Sequence, residues 1–355
     1  MIKNIIGNSD FIESLRGKEA TFLLALSNTQ TANIRGITQA GIPGKIYLTP
    51  TLDGEFLCTG EVRSLDNVPT TLKNVPTPAL LSRAVHLLHP YKNIELLDLG
   101  LEVKPKIEYF KIHDFGFAPS KSIALDAGIN AIEIFQKGLD FAQKFAQKFD
   151  NNEYIILGES VPSGTTTASA VAQALAYNCK DLFSSSFKNV PNNVKDQTIS
   201  NALKNIKAED DLFQILGKVS DNMLIFNAGF ILGLNNKIKL ILAGGTQMAC
   251  VLLIVNSILK TMGGEFETSN LALCTTKWIF EDKNSDIKAL LELLDFKINA
   301  YYSDFDFSSS EHPSLKLYDE GEAKEGVGAG ASLIYASLNG LEKEQIIKKI
   351  ESFLG

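Results

Sequence analysis

The feature that most constrains the fold is a pattern that occurs twice along the chain. A continuous apolar run, residues 154–157, leads through the turn 161–164 (VPSG) into a segment with apolar residues at helical spacing. A second run, residues 237–242 (KIKLIL), leads through Gly244, Gly245 and Thr246 into the apolar segment 247–260. Continuous runs, rather than alternating ones, are typical of strands covered on both faces of a parallel sheet. The pattern therefore predicts an α/β fold.

Strand-like and helix-like segments alternate from about residue 150 to residue 302. We therefore predict a doubly wound, mostly parallel, Rossmann-like sheet, with a smaller accessory region formed by the N- and C-terminal segments. Residues 1–120 would form a partly accessory α/β region and residues 121–355 the main nucleotide-binding domain, with a single domain as the alternative. In such sheets ligands bind beyond the carboxyl ends of the strands, where both Gly/Thr turns would lie.

The remaining segments complete the prediction. The further predicted strands are 21–27, 45–48, 55–58, 94–97, 107–110, 271–276 and 297–302. The further predicted helices are 75–89, a long amphipathic helix within 120–149, 194–206, 223–234 with Asp221 as its N-cap, 285–294 and 332–338.

Composition excludes several classes of protein. The formal net charge is −7 and no block of Lys or Arg stands out, which disfavours a nucleic-acid partner. The four cysteines and four histidines have no metal-site spacing, so we expect no metal and no disulfide framework. The most apolar window, 223–234, is shorter than the roughly 20 residues that span a bilayer. With no signal-peptide pattern at the N-terminus, we expect a cytoplasmic protein that contacts no membrane.

The first turn has the chemistry of an anion site. Ser163, Gly164, Thr165 and Thr166 bring hydroxyls and backbone N–H groups to the start of a helix, which suits a phosphate. One carboxylate, Glu159, stands beside them. A single Gly-Gly turn is weak evidence for a site, but two turns with Thr after Gly in one chain are stronger.

Two further residues have open interpretations on spacing alone. Glu325 lies at the edge of a glycine-rich stretch before a predicted helix, but it is one of four acidic residues there and solvation explains it as well. Lys195 opens a predicted helix and either decorates the surface, which we favour, or faces a bound carboxylate or phosphate.

Several segments carry a family resemblance. They are GESVPSGTTTASA (158–170), LAGGTQMA (242–249), KEGVGAGAS (324–332), NTQTANIRGITQAG (28–41) and VPTPALLSRAV (75–85). They resemble nicotinate-nucleotide:dimethylbenzimidazole phosphoribosyltransferases, and more closely a divergent archaeal and cyanobacterial branch of that family. The resemblance covers most of the chain. The sequence departs from the better-known branch at Pro162, and it has Gly244-Gly245-Thr246 where that branch has a DGF segment.

The resemblance implies the roles of individual residues. Glu325 falls on the general base of the family, and Glu159 on the glutamate of the strand–loop motif. Lys195 falls on a lysine that contacts the nucleotide. The substrate-binding residues implied in this way, together with the two turns, are Glu159, Ser163, Gly164, Thr165, Thr166, Lys195, Gly244, Gly245, Thr246, Gln247, Gly326 and Gly328.

The implied reaction moves 5-phosphoribose from nicotinate mononucleotide to a benzimidazole-type base, giving nicotinate and α-ribazole 5′-phosphate for the lower ligand of cobalamin. The resemblance implies a homodimer, and we expect no cofactor. Two alternatives stay open: another acceptor base, such as adenine or a phenol, and a nucleotide-binding protein without turnover. A dinucleotide-dependent oxidoreductase is disfavoured because no GxGxxG segment follows a strand.

Overall fold

One eight-stranded sheet organises the molecule. The computed structural model describes residues 2–65, 70–71, 73–150, 152–189, 192–264 and 266–355. The strands are β1 (Ile2–Ile6), β2 (Glu19–Leu26), β3 (Asn93–Asp98), β4 (Lys111–Asp114), β5 (Glu153–Ser160), β6 (Lys239–Ala243), β7 (Leu271–Thr276) and β8 (Asn299–Ser303). Their order in the sheet is β1-β8-β7-β6-β5-β2-β3-β4, and every neighbouring pair is parallel except β1 with β8.

Helices cover both faces of this sheet. They are α1 (Asp10–Glu13), α2 (Thr49–Thr59), α3 (Ala79–Leu88), α4 (Ala131–Ala146), α5 (Gly164–Ala174), α6 (Asn192–Lys204), α7 (Leu212–Val219), α8 (Asn222–Leu234), α9 (Thr246–Met262), α10 (Lys277–Phe280), α11 (Ile287–Leu291), α12 (Pro313–Asp319), α13 (Ala329–Leu338) and α14 (Lys343–Glu351). Short 3-10 helices occupy Gln30–Asn33 and Ile46–Leu48.

Two hydrophobic cores lie on opposite faces of the sheet. Ile155 and Leu157 of β5 face a core shared with α4, α5, α8 and α9. Tyr154 and Ile156 of the same strand face a second core shared with α3, α13 and α14. Successive side chains of a strand point to opposite faces, so an eight-residue strand buried along its whole length serves both cores. The continuous apolar runs in the sequence follow from this double burial, and the predicted doubly wound parallel sheet is confirmed.

The strand–turn–helix units lie as predicted. β5 leads into α5 and β6 leads into α9, with Thr246 as the first residue of the second helix. Asp221 caps α8, because its carboxylate accepts the backbone N–H of Leu224 at 3.1 Å. The parallel pairing of β2, β5, β6 and β7 brings their carboxyl ends to one edge of the sheet. The strands of residues 1–120 and of residues 121–355 join in this one sheet, and the division at residue 120 stays a prediction.

Three of the predicted strands are wrong. Residues 45–48 contain a 3-10 turn and residues 55–58 belong to α2, since a short apolar run fits either helix or strand. The predicted strand 107–110 is irregular, because Tyr109 adopts a left-handed φ of 67°, and β4 begins at Lys111. The amphipathic helix predicted within 120–149 is α4, which begins at Ala131, and Asn130 caps it by accepting the N–H of Glu133.

No helix within the described part of the chain combines the length and the apolar character needed to cross a bilayer.

Candidate active site

A cleft lies beyond the carboxyl ends of β5, β6 and β7. The space between its walls, counted out into open solvent, is about 1040 Å³, and the part that the centre of a water-sized molecule can reach is about 150 Å³. The β5–α5 loop, the β6–α9 turn, the segment before α13 and the segments around α2 and α3 all contribute to its walls. The cleft therefore joins distant parts of the chain: two of its lining residues, Gln39 and Glu322, are hydrogen-bonded although 283 positions separate them.

The β5–α5 loop and the start of α9 form one wall. Ser163 adopts a left-handed φ of 62° immediately before α5. A Cβ atom on Gly164 would lie 1.7 Å from Oε1 of Gln247, so a larger residue here would displace the end of the Gln247 side chain. The Ser163 hydroxyl and Oε1 of Gln247 are buried without a hydrogen-bond partner among the described residues. Buried polar atoms of this kind normally have partners, and a bound ligand would supply them.

Glu159 lies at the floor of the cleft. Its side chain is 4% exposed, and Nε2 of Gln247 donates to its Oε1 at 3.3 Å. Burial, together with the negative charges of Glu325, Asp221 and Asp53, raises its pKa to about 8. A carboxyl group with this pKa carries a proton for much of the time at neutral pH, so it can donate a hydrogen bond as well as accept one.

Glu325 also lines the cleft. Its Oε2 accepts hydrogen bonds from the Thr275 hydroxyl at 3.2 Å and the Thr276 N–H at 2.9 Å. Its Oε1 accepts from the N–H of Gly326 at 3.1 Å, and the N–H of Gly330 reaches both oxygens at 3.2 Å. Burial raises its pKa to about 7, although these hydrogen bonds favour the charged form. A general base that works near neutral pH needs such a pKa.

One backbone contact ties the two glutamates together. The N–H of Val327 donates to the carbonyl of Glu159 at 2.9 Å, and Val327 itself has a left-handed φ of 53°. The segment before α13 is thus held against the end of β5, with both carboxyl groups in the same cleft.

A third buried carboxyl group comes from α2. Asp53 accepts the Thr77 hydroxyl and the Ser160 hydroxyl, each at 2.6 Å, and it lines the cleft. Burial raises its pKa to about 6, against the effect of these two hydrogen bonds. Sequence reasoning missed Asp53, because the residue lies between the predicted strands 45–48 and 55–58 and belongs to no motif.

A polar loop and Lys324 line another part of the cleft. We call Ser184, Ser185 and Ser186 the serine loop. Its hydroxyls reach Asp282 at 2.8 Å from Ser184 and the backbone N–H of Gln39 at 3.1 Å from Ser186. The three consecutive serines were the signal that could have identified this wall from the sequence.

The structure places the predicted site residues in two groups. Those that line the cleft are Glu159, Ser163, Gly164, Thr165, Gly245, Thr246, Gln247, Glu325 and Gly326. Thr166, Lys195, Gly244 and Gly328 do not line it. Gly244 and Gly328 pack behind it: a Cβ on Gly328 would lie 2.8 Å from the Phe22 ring, and one on Gly244 would lie 2.8 Å from Met248. The cleft also contains Thr38, Gln39, Asp53, Thr77, Glu322 and Lys324, which were not predicted.

The His, Cys, Asp and Glu side chains of the described ranges include no cluster of three or more placed to hold a metal ion. What the cleft offers instead is hydroxyl groups, backbone N–H groups at two helix starts, and carboxyl groups with raised pKa values. This donor set suits a sugar-phosphate and a proton transfer.

No family model matches the sequence. The chain is 34% identical over 355 residues to a UPF0284 protein of Metallosphaera sedula, covering 99% of this chain and 97% of the relative. It is 35% identical over 355 residues to a UPF0284 protein of Saccharolobus solfataricus, covering 99% and 96%. The chain belongs to the UPF0284 family.

The fold of this UPF0284 chain is similar to two solved structures. One is a nicotinate-nucleotide-dimethylbenzimidazole phosphoribosyltransferase from Thermus thermophilus, with a TM-score of 0.62, 13% identity, and coverage of 96% of this chain and 89% of that one. The other is CobT from the same organism, with a TM-score of 0.61, 15% identity, and coverage of 96% and 90%. The resemblance drawn from the sequence motifs is thus confirmed for the fold.

Proposed function

We propose that this UPF0284 protein is a phosphoribosyltransferase that moves 5-phosphoribose from nicotinate mononucleotide to a benzimidazole-type base. The observation that carries the proposal is the convergence of Glu325, Glu159 and both Gly/Thr turns on one cleft. The similarity of the fold to the phosphoribosyltransferase of T. thermophilus supports it.

The chemical steps of this reaction require few groups from the protein. The bond between C1′ of the ribose and the pyridinium nitrogen of nicotinate breaks, and its electron pair returns to the ring, which becomes neutral. A ring nitrogen of the acceptor base forms the new bond to C1′. The acceptor's N–H proton must then leave, so a base has to stand on the acceptor's side of C1′.

We assign this proton to Glu325. Its four hydrogen-bond donors orient the carboxyl group, and its raised pKa of about 7 leaves it a stronger base than a solvated glutamate. Glu159 would bond the ribose hydroxyls or polarise the site. Ser163, Thr165 and Thr246, with the adjoining N–H groups, would hold the phosphate. Positioning of the two substrates is worth several kcal/mol in reactions of this kind.

The decisive experiment is incubation with nicotinate mononucleotide and a panel of acceptors, namely dimethylbenzimidazole, benzimidazole, adenine and a phenol, with products read by mass spectrometry. We expect release of nicotinate together with a base-linked ribose phosphate. Product with adenine or a phenol alone would select the alternative acceptor. Tight binding of the nucleotide without any product would contradict the enzyme and favour a nucleotide-binding protein.

The family resemblance also leads us to propose a homodimer. Light scattering coupled to size-exclusion chromatography measures the mass directly, and a value near twice 38.8 kDa is expected.

A further inference from the structure

We propose that Lys324, rather than Lys195, is the cation that binds the anionic group of the nucleotide donor, while Lys195 is a positioning residue that holds the serine loop from behind. The inference rests on the proposed function, because it names a residue that would recognise that donor. It differs from the expectation drawn from the sequence, in which Lys195 contacts the nucleotide.

Lys195 faces protein rather than the cleft. Its side chain is 7% exposed, and its ammonium group donates to the carbonyl of Ser184 at 2.9 Å and to that of Phe183 at 3.4 Å. Burial lowers its pKa to about 8. A lysine whose ammonium group is used on two backbone carbonyls of one loop fixes the conformation of that loop.

Lys324 occupies the position that the nucleotide can reach. It lines the cleft, directly beside Glu325 in sequence. Its ammonium group forms an ion pair with Asp282 at 2.7 Å and donates to the carbonyl of Phe187 at 3.3 Å. An ammonium group has three donor hydrogens, and within the described part of the chain these are its two hydrogen bonds, so one N–H is left for a ligand. Lys195 also makes two hydrogen bonds, and what separates the two lysines is that only Lys324 lines the cleft.

Charged side chains of both signs line the cleft. Four carboxyl groups line it, those of Asp53, Glu159, Glu322 and Glu325. Among the described residues that form the lining, Lys324 is the only lysine or arginine. An anion that enters a partly enclosed, acidic cleft loses its water shell, and a paired, hydrogen-bonded cation is what compensates for that loss.

Asp282 keeps this lysine in place. The pKa of the Asp282 carboxyl group is lowered: burial works against this, but the hydrogen bond and charge of Lys324 outweigh it, together with the Ser184 hydroxyl. Asp282 and Lys324 therefore remain an ion pair. The serine loop lies between Lys324 and Lys195, since Ser184 contacts both Asp282 and the Lys195 ammonium group. The hydroxyls of this loop can join Lys324 on the same anion.

The nucleotide donor has two anionic groups that Lys324 could bind, the 5′-phosphate and the carboxylate of nicotinate. Three ligands distinguish the two groups: nicotinate mononucleotide has both, nicotinamide mononucleotide lacks the carboxylate, and nicotinate riboside lacks the phosphate. Dissociation constants of all three are measured by isothermal titration calorimetry with the full chain.

The main variant is Lys324→Met combined with Asp282→Asn, which removes the ion pair without leaving an uncompensated buried charge. Lys324→Arg keeps the charge. Lys195→Met tests the positioning role. Lys92→Met is the matched control, since Lys92 pairs with Glu153 at 2.7 Å at the opposite end of β5.

We expect the double variant to bind nicotinate mononucleotide at least about tenfold more weakly, as for loss of a charge-assisted hydrogen bond. That loss should vanish for one of the truncated ligands, which identifies the group that Lys324 binds. Lys324→Arg should retain most of the affinity. Lys195→Met should weaken the binding of all three ligands by the same factor, and Lys92→Met should leave the binding of all three unchanged.

Unchanged affinity in the double variant, or an equal loss for all three ligands, overturns the inference about Lys324. These results require that the wild-type protein binds nicotinate mononucleotide. If the wild-type protein does not bind it, the proposed function fails, and the inference fails with it. If the wild-type protein binds it and the double variant binds it with the same affinity, only the inference about Lys324 is refuted.

Discussion

Glu325 and Glu159 share one cleft but are held in different ways. Four donors from β7, the segment before α13 and the start of α13 surround the Glu325 carboxyl group. The Glu159 carboxyl group has a side-chain donor, Gln247 at 3.3 Å, and a backbone donor, the N–H of Val161. The first group is therefore oriented by the fold, whereas the second has hydrogen-bonding capacity left for a ligand. This difference supports Glu325 as the proton acceptor and Glu159 as a ligand-binding residue.

At the scale of a single residue, Glu325→Gln should lower kcat by about 10²- to 10⁴-fold, the usual contribution of a general base. In the wild-type protein kcat/KM should rise as the pH increases through about 7, because the base must lose its proton before it can act. The pH profile of kcat/KM, measured from about pH 5.5 to 9, checks both expectations, since the rise should be absent from the variant.

Glu320→Gln is the matched control, because Glu320 is an exposed carboxylate of the same segment, paired with Lys188 at 3.4 Å. It should leave the rate and the profile unchanged. If Glu325→Gln retained the rate within a fewfold together with the rise near pH 7, another group would be the base.

At the scale of elements, the packing of α13 against β7 places Glu325. A Cβ on Gly330 would lie 2.1 Å from the backbone carbonyl carbon of Thr275, so the helix start lies directly on the strand. This approach also brings the Gly330 N–H to the Glu325 carboxyl group. A glycine at this position is therefore required by close packing rather than by backbone conformation.

Gly330→Ala should lower the free energy of unfolding by about 3 kcal/mol or more, because backbone atoms on both sides cannot move apart without shifting a strand. Urea unfolding followed by circular dichroism measures this. Gly244→Ala is the control, since its Cβ would meet the flexible side chain of Met248 at 2.8 Å and should cost less. Equal losses in the two variants would show that the close approach at Gly330 is not the cause.

At the scale of the whole molecule, buried carboxyl groups make stability depend on pH. The folded-state pKa values of Glu159 (about 8), Glu325 (about 7) and Asp53 (about 6) lie above those of the unfolded chain. Between about pH 4 and 8 the folded state therefore binds more protons than the unfolded state, and these groups make stability fall as the pH rises.

Glu159→Gln should remove part of this decrease in stability with rising pH. At about pH 5 the wild-type carboxyl group is protonated and resembles the amide, so the two proteins should have similar Tm values. At about pH 9 the variant should be more stable by a few kcal/mol, given that one pKa unit corresponds to about 1.4 kcal/mol. Thermal unfolding across this range tests the difference, with Glu209→Gln as an exposed control. A variant that was less stable than the wild-type protein at the alkaline end would contradict the buried, proton-binding state of Glu159.

Local patterns predicted the units of the fold but not all of their boundaries. The runs that became β5, β6 and β7 were identifiable because strands buried on both faces are continuously apolar. The segment that became α2 was not, because its residues are buried on every side and no periodicity distinguishes the buried helix from a strand.

The sequence by itself determined the α/β class, the two strand–turn–helix units and the two glutamates beside glycine-rich turns, since these depend on neighbours within one or two turns of the chain. Only the tertiary structure decided that Asp53, the serine loop and Lys324 join Glu159 and Glu325 in one cleft, and that Lys195 lies behind it. The physical reason is that these contacts join residues far apart in sequence, and that the pKa values depend on burial, which exists only once the chain has folded.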